Sequence, residues 1–329
     1  MKVLFATYPM AFHTPGGGEI QLLAYEKHLP LHDVGVTLLD PWKPRFLEHD
    51  LVHFFSCVGG SVHLCHFVKQ LGLPLVVSSS LWVTEETRHL YPCEEIRHQF
   101  MLADRVIANS IVECETLARV FDLPRDKFVS VLNGVDDIFF EPVAEKLFRE
   151  TFNIAGSFVL NVGNIEPRKN QLSLIRAMKQ IPDMQLVLIG HERDPAYANA
   201  CREEGGDQVR FLGPIGHSDP LLRSAYAACD VFCLPSTLET PGLAGLEAFA
   251  TGASIAITEV GSTREYFGQA PNVEFLNPDS VPSIVEAIDR ARIGQRSAAM
   301  PASNDRHDLS WRNITRSLAD AYSTLLPGK

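Results

Sequence analysis

Short apolar runs alternate with amphipathic runs along this chain, and the alternation begins again about halfway along it. Strands that alternate with helices form parallel sheets covered by helices, so the pattern predicts an α/β protein with two doubly wound halves. The predicted strands span 3–7, 34–39, 51–55, 75–78, 105–108 and 128–132, then 158–162, 185–189, 209–212, 231–234, 254–258 and 273–276. The predicted helices span 19–28, 62–71, 94–102 and 111–121, then 172–179, 221–228, 243–250 and 281–291.

The chain length of 329 residues suits two domains, each of about 150 residues. We predict a first domain over 1–145, a second over 146–305 and a C-terminal segment over 306–329, with the joint in the charged stretch 139–154. In the last segment Ser310 can cap a helix with one apolar face. Ligands bind at the carboxyl ends of parallel strands, which we expect to face a central cleft between the two domains.

Composition excludes several classes of protein. The net charge of −11 argues against non-specific nucleic-acid binding. The seven cysteines are scattered without a C-x-x-C pair, which predicts reduced thiols and no metal site. The apolar run at the start is broken by Thr7, Tyr8 and Pro9, which favours a buried strand over a signal peptide. We expect a cytoplasmic protein, with at most peripheral contact at the inner face of the cell membrane.

Two loops at predicted strand ends could bind an anion. After the first strand, Gly16, Gly17 and Gly18 precede a helix that we expect to begin near Glu19, although a flexible turn explains the glycines equally well. In the second half, "VGNIEPRKN" places Arg168 and Lys169 between a strand and a helix, where two cations suit a phosphate pair. The alternative for this second loop is a solvated basic turn.

The stretch "PSTLETPGLAGLEAFATG" places two glutamates around a predicted helix start. Thr240 can cap the helix and Pro241 suits its first position, so Glu239 should precede the helix and Glu247 should lie inside it. Between them, the backbone N–H groups of Gly242, Leu243 and Ala244 are free to bind an anion. This order of a carboxylate, free N–H groups and a second carboxylate suits a ligand that presents hydroxyls, then a diphosphate, then further hydroxyls. The alternative is that Glu239 only stabilises the helix dipole at the N-terminus and Glu247 is a surface residue of the helix, but Glu247 stands alone in an apolar helix and would need a partner.

At these residues the chain resembles the retaining glycosyltransferases of family 4, which have the two-domain Rossmann-like GT-B fold. The family's E-x7-E motif corresponds to Glu239 and Glu247, with "VRFLGPI", "AYAACDVFCLPS" and "TGASIAITEVGSTREYF" around it and a looser match in the first half. The resemblance implies that Glu239 contacts the donor sugar's hydroxyls and Glu247 the ribose. It also implies diphosphate contacts from Lys169 and the Leu243 and Ala244 amides.

The resemblance assigns roles to further segments. The loop of Gly17 and Gly18 would approach the phosphates from the first domain, which would be the acceptor side, and Pro214 and Ile215 would lie near the base. The C-terminal helix would cross back to the first domain.

The chain also departs from the family at two positions. Asn164 stands where many members have an arginine, and Arg168 is our candidate to replace its charge. Ser80 stands where many have a histidine, and we take Ser80, His13 and His53 as acceptor-side candidates, with a structural role as the alternative for each histidine.

The implied activity is transfer of a hexosyl group, with mannosyl as one candidate, from a nucleotide-diphosphate sugar to a glycan or lipid-linked acceptor in cell-surface polysaccharide synthesis. Glu239, Lys169 and Arg168 are the candidate catalytic residues, Thr240 and Gly242 complete the donor loop, and no metal or cofactor is expected. An epimerase or phosphorylase on the same fold and a non-catalytic two-domain binding protein remain alternatives.

Overall fold

A computed structural model describes residues 1–13, 16–79, 81–268, 270–295 and 308–326. The chain divides into two compact units, the first formed by Met1–Gly134 with Leu309–Lys329 and the second by Val135–Asp308. The division falls before the joint that the sequence suggested at 139–154. That stretch is instead part of the second unit, because Phe139 is buried there against Tyr226. The assignment of acceptor and donor roles to the two domains stays a prediction.

The first unit is built on a six-stranded parallel sheet of order β2-β1-β3-β4-β5-β6. Its strands are β1 (Lys2–Thr7), β2 (Gly35–Leu38), β3 (Leu51–Phe55), β4 (Leu75–Ser78), β5 (Arg105–Ala108) and β6 (Phe128–Ser130). Its helices are α1 (Gly17–His28), α2 (Ser61–Gln70), α3 (Cys93–Leu102) and α4 (Ile111–Val120), together with the C-terminal helix Trp311–Ser323.

The second unit has a six-stranded parallel sheet of order β12-β11-β10-β7-β8-β9. Its strands are β7 (Phe158–Val162), β8 (Gln185–Ile189), β9 (Val209–Phe211), β10 (Val231–Leu234), β11 (Ile255–Thr258) and β12 (Val273–Leu276). Its helices are α5 (Glu145–Phe152), α6 (Gln171–Met178), α7 (Pro195–Gly205), α8 (Pro220–Ala228), α9 (Leu243–Thr251), α10 (Thr263–Phe267) and α11 (Val281–Gln295).

The predicted α/β class and all twelve predicted strands are confirmed, with ends within two residues. Three helices within the described residues were missed. The charged α5 was interpreted as a linker, but Phe148 anchors it in the core and its N–H donates to Ser224 Oγ at 2.9 Å. Helix α7 begins at a proline after Asp194, whose side chain accepts from the Tyr197 N–H, a start signal that was overlooked. The third, α10, spans only five residues and buries Thr263 and Phe267.

The cores are apolar and close-packed around both sheets. Ser310 caps the C-terminal helix as predicted, by accepting from the Asn313 N–H, and the predicted apolar face of that helix is buried. All seven cysteines are free and six are buried, which confirms that most of them are core residues. No helix in the described part of the chain has the length and apolar character needed to cross a membrane.

In each sheet the strand order reverses at one place, and this reversal locates a crevice at the carboxyl ends of two strands. In the second unit, β8 and β9 extend the sheet on one side of β7, and β10, β11 and β12 extend it on the other. The switch point therefore lies between β7 and β10. In the first unit the corresponding point lies between β1 and β3.

Candidate active site

The switch point of the second unit contains a buried ion pair. Lys169 follows β7 and Glu239 follows β10, and the Lys169 Nζ donates to Glu239 Oε1 at 2.6 Å. Only 12% of the Lys169 side chain and 5% of the Glu239 side chain are exposed. A cation and an anion from sequence positions 70 residues apart thus meet at the place where this fold binds ligands.

Backbone contacts hold the two loops against each other. The Thr237 N–H donates to the Arg168 carbonyl at 2.9 Å, and the Arg168 guanidinium donates to the Leu238 carbonyl at 3.1 Å. The guanidinium also lies 3.7 Å from Glu239 Oε1. The backbone of Glu239 is bonded on both sides, donating to Val260 O and accepting from the Ser262 N–H. The position of the Glu239 carboxylate is therefore set by the fold.

The environment keeps Glu239 ionised. Burial alone would raise the pKa of its carboxyl, but the charges of Lys169 and Arg168 and the Lys169 hydrogen bond outweigh burial and hold the pKa below its ordinary value. Glu239 is thus a hydrogen-bond acceptor at neutral pH.

The helix between the two glutamates begins later than the sequence suggested. Thr240 and Pro241 precede it, and Gly242 occupies the cap position with φ of 85°, so the expected Thr240 cap is wrong. A Cβ at Gly242 would lie 2.8 Å from Glu239 Oε2, which explains the glycine. Along this first turn, Gly245 and Leu246 are the first residues whose N–H groups are described as donating to a backbone carbonyl. Leu243 and Ala244 occupy the positions whose N–H groups a helix leaves unbonded.

Glu247 is not a surface residue. It is 7% exposed, and its Oε2 accepts from the Tyr226 hydroxyl at 2.7 Å, while its Oε1 lies 3.1 Å from His217 Nε2. Burial and the neighbouring Glu247 charge raise the pKa of Tyr226 well above its ordinary value, so its hydroxyl stays protonated and donates. The partner that an isolated buried carboxylate requires is therefore present.

Sequence reasoning missed four residues around these carboxylates. Glu166 pairs with Arg168 at 3.3 Å and with Arg193 at 3.6 Å, while Tyr226 and His217 hold Glu247. His217 follows the "GPI" segment closely, which was a usable signal. Tyr226 offers none, because its distance from Glu247 along the chain matches no helical period.

Asn164 and Asn170 support the cation loop. The Asn164 carbonyl accepts from the buried Gln171 side chain at 2.9 Å. Asn170 stands at the cap position of α6, but its side chain does not bond to the helix and donates to the carbonyls of Pro235 and Pro278. The amide therefore ties the β7 loop to the loop after β10.

Pro214 and Ile215 lie in the loop that follows β9, with the proline exposed and the isoleucine half-buried. The Gly190 N–H, at the end of β8, donates to the carbonyl of Gly213 at 3.0 Å. Gly190 itself has a φ of 157°, and a Cβ there would lie 1.9 Å from the Gly163 carbonyl oxygen at the end of β7. The ends of β7, β8 and β9 are thus in close backbone contact.

The candidates in the first unit have mixed outcomes. Gly17 and Gly18 open α1, which begins at Gly17 rather than near Glu19, and the Glu19 carboxylate accepts from the Gly16 N–H at 2.6 Å. His13 is exposed in a short 3-10 turn. Ser80 lies outside the described residues.

His53 is a correction. It is fully buried, its ring nitrogens lie 2.5 Å from the Tyr322 hydroxyl and 2.9 Å from Ser78 Oγ, and burial lowers its pKa to about 3. It is enclosed by the sheet and the C-terminal helix, so a direct contact with an acceptor is wrong for His53 and its role is structural.

Comparison with known proteins identifies the family. Residues 144–308 match the family described as Glycosyl transferases group 1, and the chain belongs to this family.

In the described residues no three His, Cys, Asp or Glu side chains are grouped so that they could hold a metal ion.

Curated relatives include the D-inositol 3-phosphate glycosyltransferase of Saccharomonospora viridis, 28% identical over 240 residues that are 67% of this chain and 55% of the relative. The mannosylfructose-phosphate synthase of Agrobacterium fabrum is 26% identical over 249 residues, 68% of this chain and 54% of the relative. The chain spans about half the length of these curated relatives.

Solved structures share the whole GT-B fold. The Anabaena protein HepE in complex with UDP has a TM-score of 0.80 at 20% identity, covering 98% of this chain and 100% of that one. The sucrose-phosphate synthase of Thermosynechococcus elongatus has a TM-score of 0.78 at 20% identity, covering 100% of both chains.

Proposed function

We propose that the protein is a retaining glycosyltransferase that moves a hexose from a nucleotide-diphosphate sugar to an acceptor hydroxyl without a metal ion or a further cofactor. The observation that carries the proposal is the Lys169–Glu239 pair at the β7–β10 switch point, beside a helix start and a second buried glutamate. Membership of the group 1 family supports it.

The donor would be bound in the order that the segment 239–247 suggests. Glu247 accepts hydrogen bonds from the ribose, and the N–H groups of Leu243 and Ala244 bind the diphosphate. Lys169 and Arg168 add positive charge, and Glu239 accepts from the sugar's hydroxyls. Because an ammonium group has three N–H donors, Lys169 can keep its bond to Glu239 and still donate to a phosphate.

The chemical task is to stabilise the leaving nucleotide diphosphate. As the bond between the anomeric carbon and the phosphate oxygen breaks, negative charge grows on the diphosphate, and fixed cations and helix-start amides stabilise that charge. Lys169 supplies one such cation from a buried position, where its effect is larger than in water.

Retention follows if the acceptor attacks from the face that the diphosphate leaves. The acceptor oxygen then bonds to the anomeric carbon while a diphosphate oxygen takes the hydroxyl proton. The alternative is attack by Glu239 to give a covalent intermediate. The depressed pKa of Glu239 makes its carboxylate a weaker base and nucleophile, which favours the first route.

The donor base and the acceptor are proposed from relatives. HepE has been solved with UDP and with UDP-glucose, so UDP-sugars come first among donors, and GDP-mannose tests the mannosyl alternative. A glycan or lipid-linked acceptor in cell-surface synthesis, reached from the cytoplasm with peripheral membrane contact, remains our proposal. Sugar phosphates enter the test because relatives are named for products such as mannosylfructose phosphate.

A thermal-shift panel of UDP-, GDP- and ADP-sugars tests the donor assignment. A donor at 100 times its Kd should add about 2.7 kcal/mol to the free energy of unfolding. The stabilising donor is then incubated with glycan, lipid-linked and sugar-phosphate acceptors, and NMR reads the anomeric configuration of the product. We expect retention and a rate that EDTA leaves unchanged. Absence of stabilisation by every donor, or an inverted product, contradicts the proposal.

A further inference from the structure

The proposed function leaves one contact of Glu247 without a role. The His217 ring nitrogen Nε2 lies 3.1 Å from Glu247 Oε1, and 40% of the His217 side chain is exposed against 9% of that of Glu247. Because a carboxylate oxygen only accepts hydrogen bonds, Nε2 must be the donor in this contact. His217 is therefore the more exposed of the two residues in this contact.

The two partners of Glu247 differ in kind. The Tyr226 hydroxyl donates to Oε2 from a fully buried position, at 2.7 Å. His217 belongs to the loop after β9, the loop that also carries Pro214 and Ile215. One partner thus belongs to the packed core and the other to the loop that we assign to the nucleotide base.

Aromatic packing fixes the orientation of the imidazole. The ring of Phe139, which is fully buried, lies edge-on to His217 with 5.2 Å between ring centroids, and the same phenyl ring lies 6.0 Å from Tyr226. A ring held in this way loses little further freedom when a ligand binds.

We propose that His217 is a positioning residue that sets the Glu247 carboxylate for the two hydroxyls of a ribose. Each carboxylate oxygen can accept two hydrogen bonds, so one protein donor on each oxygen leaves capacity for one ligand hydroxyl on each. Two vicinal hydroxyls, as in a ribonucleoside diphosphate, match this arrangement, and a 2′-deoxyribonucleotide fills only half of it. The inference rests on the proposed function, since it presumes that a nucleotide binds at Glu247.

The test compares ribo- and 2′-deoxyribonucleotides on the whole protein by calorimetry. UDP, GDP and ADP are titrated, and the tightest binder is paired with its 2′-deoxy counterpart. We expect His217→Phe, which keeps a ring against Phe139 but removes the donor, to weaken the ribonucleotide five- to tenfold and the deoxyribonucleotide less than twofold. His217→Gln, which restores an N–H donor, should recover most of the ribose preference.

His66→Phe is the control, because this histidine is exposed on α2 in the first unit and should leave both affinities unchanged. Equal weakening of both nucleotides in His217→Phe, or no change in either, overturns the inference while nucleotide binding by the wild type stands. A wild-type protein that binds none of the three diphosphates overturns the proposed function and this inference with it.

Discussion

The two switch points of this molecule share a geometry and differ in charge. Between β7 and β10 the strand ends are joined by an ion pair of Lys169 and Glu239 at 2.6 Å. Between β1 and β3 they are joined by a neutral bond from Thr7 Oγ1 to the Phe55 carbonyl at 2.7 Å. Within the described residues the fold thus provides two crevices of the same kind, and the one that carries the ion pair is the one to which we assign the diphosphate.

The largest expected effect comes from removing the cation at the charged switch point. Lys169→Ala leaves Glu239 buried without its main partner, which should lower the free energy of unfolding by about 3 kcal/mol. It should also slow transfer about a hundredfold or more, because the leaving diphosphate loses a fixed charge. Urea denaturation and initial rates measure the two effects.

Lys179→Ala is the matched control for this change. Lys179 is half exposed and pairs with Glu204 at the surface of the same unit, so its loss should leave stability and rate nearly unchanged. Equal losses of stability and rate in both variants would show that the Lys169–Glu239 pair contributes no more than a surface ion pair.

The next effect concerns donor affinity. Glu247→Gln removes the negative charge that we assign to ribose binding, and hydrogen bonds to charged groups contribute about 2 kcal/mol, so nucleoside-diphosphate affinity should fall about thirtyfold. Calorimetry measures it. Glu286→Gln, at an exposed site on α11, is the control and should bind normally. Unchanged affinity in Glu247→Gln would reject the ribose assignment.

Acid should destabilise the two units in different pH windows. The folded chain holds His53 neutral down to a pKa of about 3, whereas the unfolded chain takes up a proton near its ordinary value of 6.5. Stability is therefore full above pH 6.5 and falls below it by about 1.4 kcal/mol per pH unit, or about 2 kcal/mol by pH 5. Glu239, whose pKa is depressed, adds its own loss only below its ordinary value of 4.5.

Denaturation curves at pH 7.5, 6.5, 5.5 and 5.0 test the window assigned to His53, which lies above that of Glu239. His53→Gln should flatten the loss between pH 6.5 and 5, and His66→Gln should keep the wild-type slope because this histidine is exposed. If the His53→Gln protein loses stability with the wild-type slope, His53 is not the cause of the loss between pH 6.5 and 5.

The smallest effect tests how closely the Glu239 carboxylate is packed against Gly242. Gly242 and Gly156 have nearly the same φ, 85° and 82°, but a Cβ at Gly156 would meet nothing within 4 Å, whereas one at Gly242 would meet Glu239 Oε2 at 2.8 Å and Leu234 Cδ2 at 2.9 Å. Both alanine variants bear the cost of the backbone conformation. Gly242→Ala should cost about 1 kcal/mol more, measured by thermal denaturation. Equal costs would mean that the carboxylate moves aside freely.

The sequence predicted the fold well because local patterns decide it. Four-residue apolar runs such as "VFCL" can only be buried strands in this context, and the restart at Phe158 fixed the number of halves. The role of Glu247 could also be predicted, because a carboxylate buried in an apolar helix needs a partner.

Other parts of the site depend on contacts that no local pattern reports. Lys169 and Glu239 lie 70 residues apart, and Tyr226 meets Glu247 from another helix. The Thr240 cap was wrong because Gly242, with its positive φ, turns the chain at the helix start and delays the helix until Leu243. The burial of His53 depends on the C-terminal helix, whose Tyr322 hydroxyl lies 2.5 Å from its ring.

The close packing of Gly190 on Gly163 bears on how the specificity that we propose for this protein could be re-engineered. Loops that follow neighbouring strands are natural units to exchange between relatives, yet a side chain at 190 would collide with the carbonyl of Gly163 at 1.9 Å. The loop with Lys169 and the loop that begins at Gly190 should therefore be transplanted as one block. A graft of the second loop alone needs a donor sequence that carries glycine at this position.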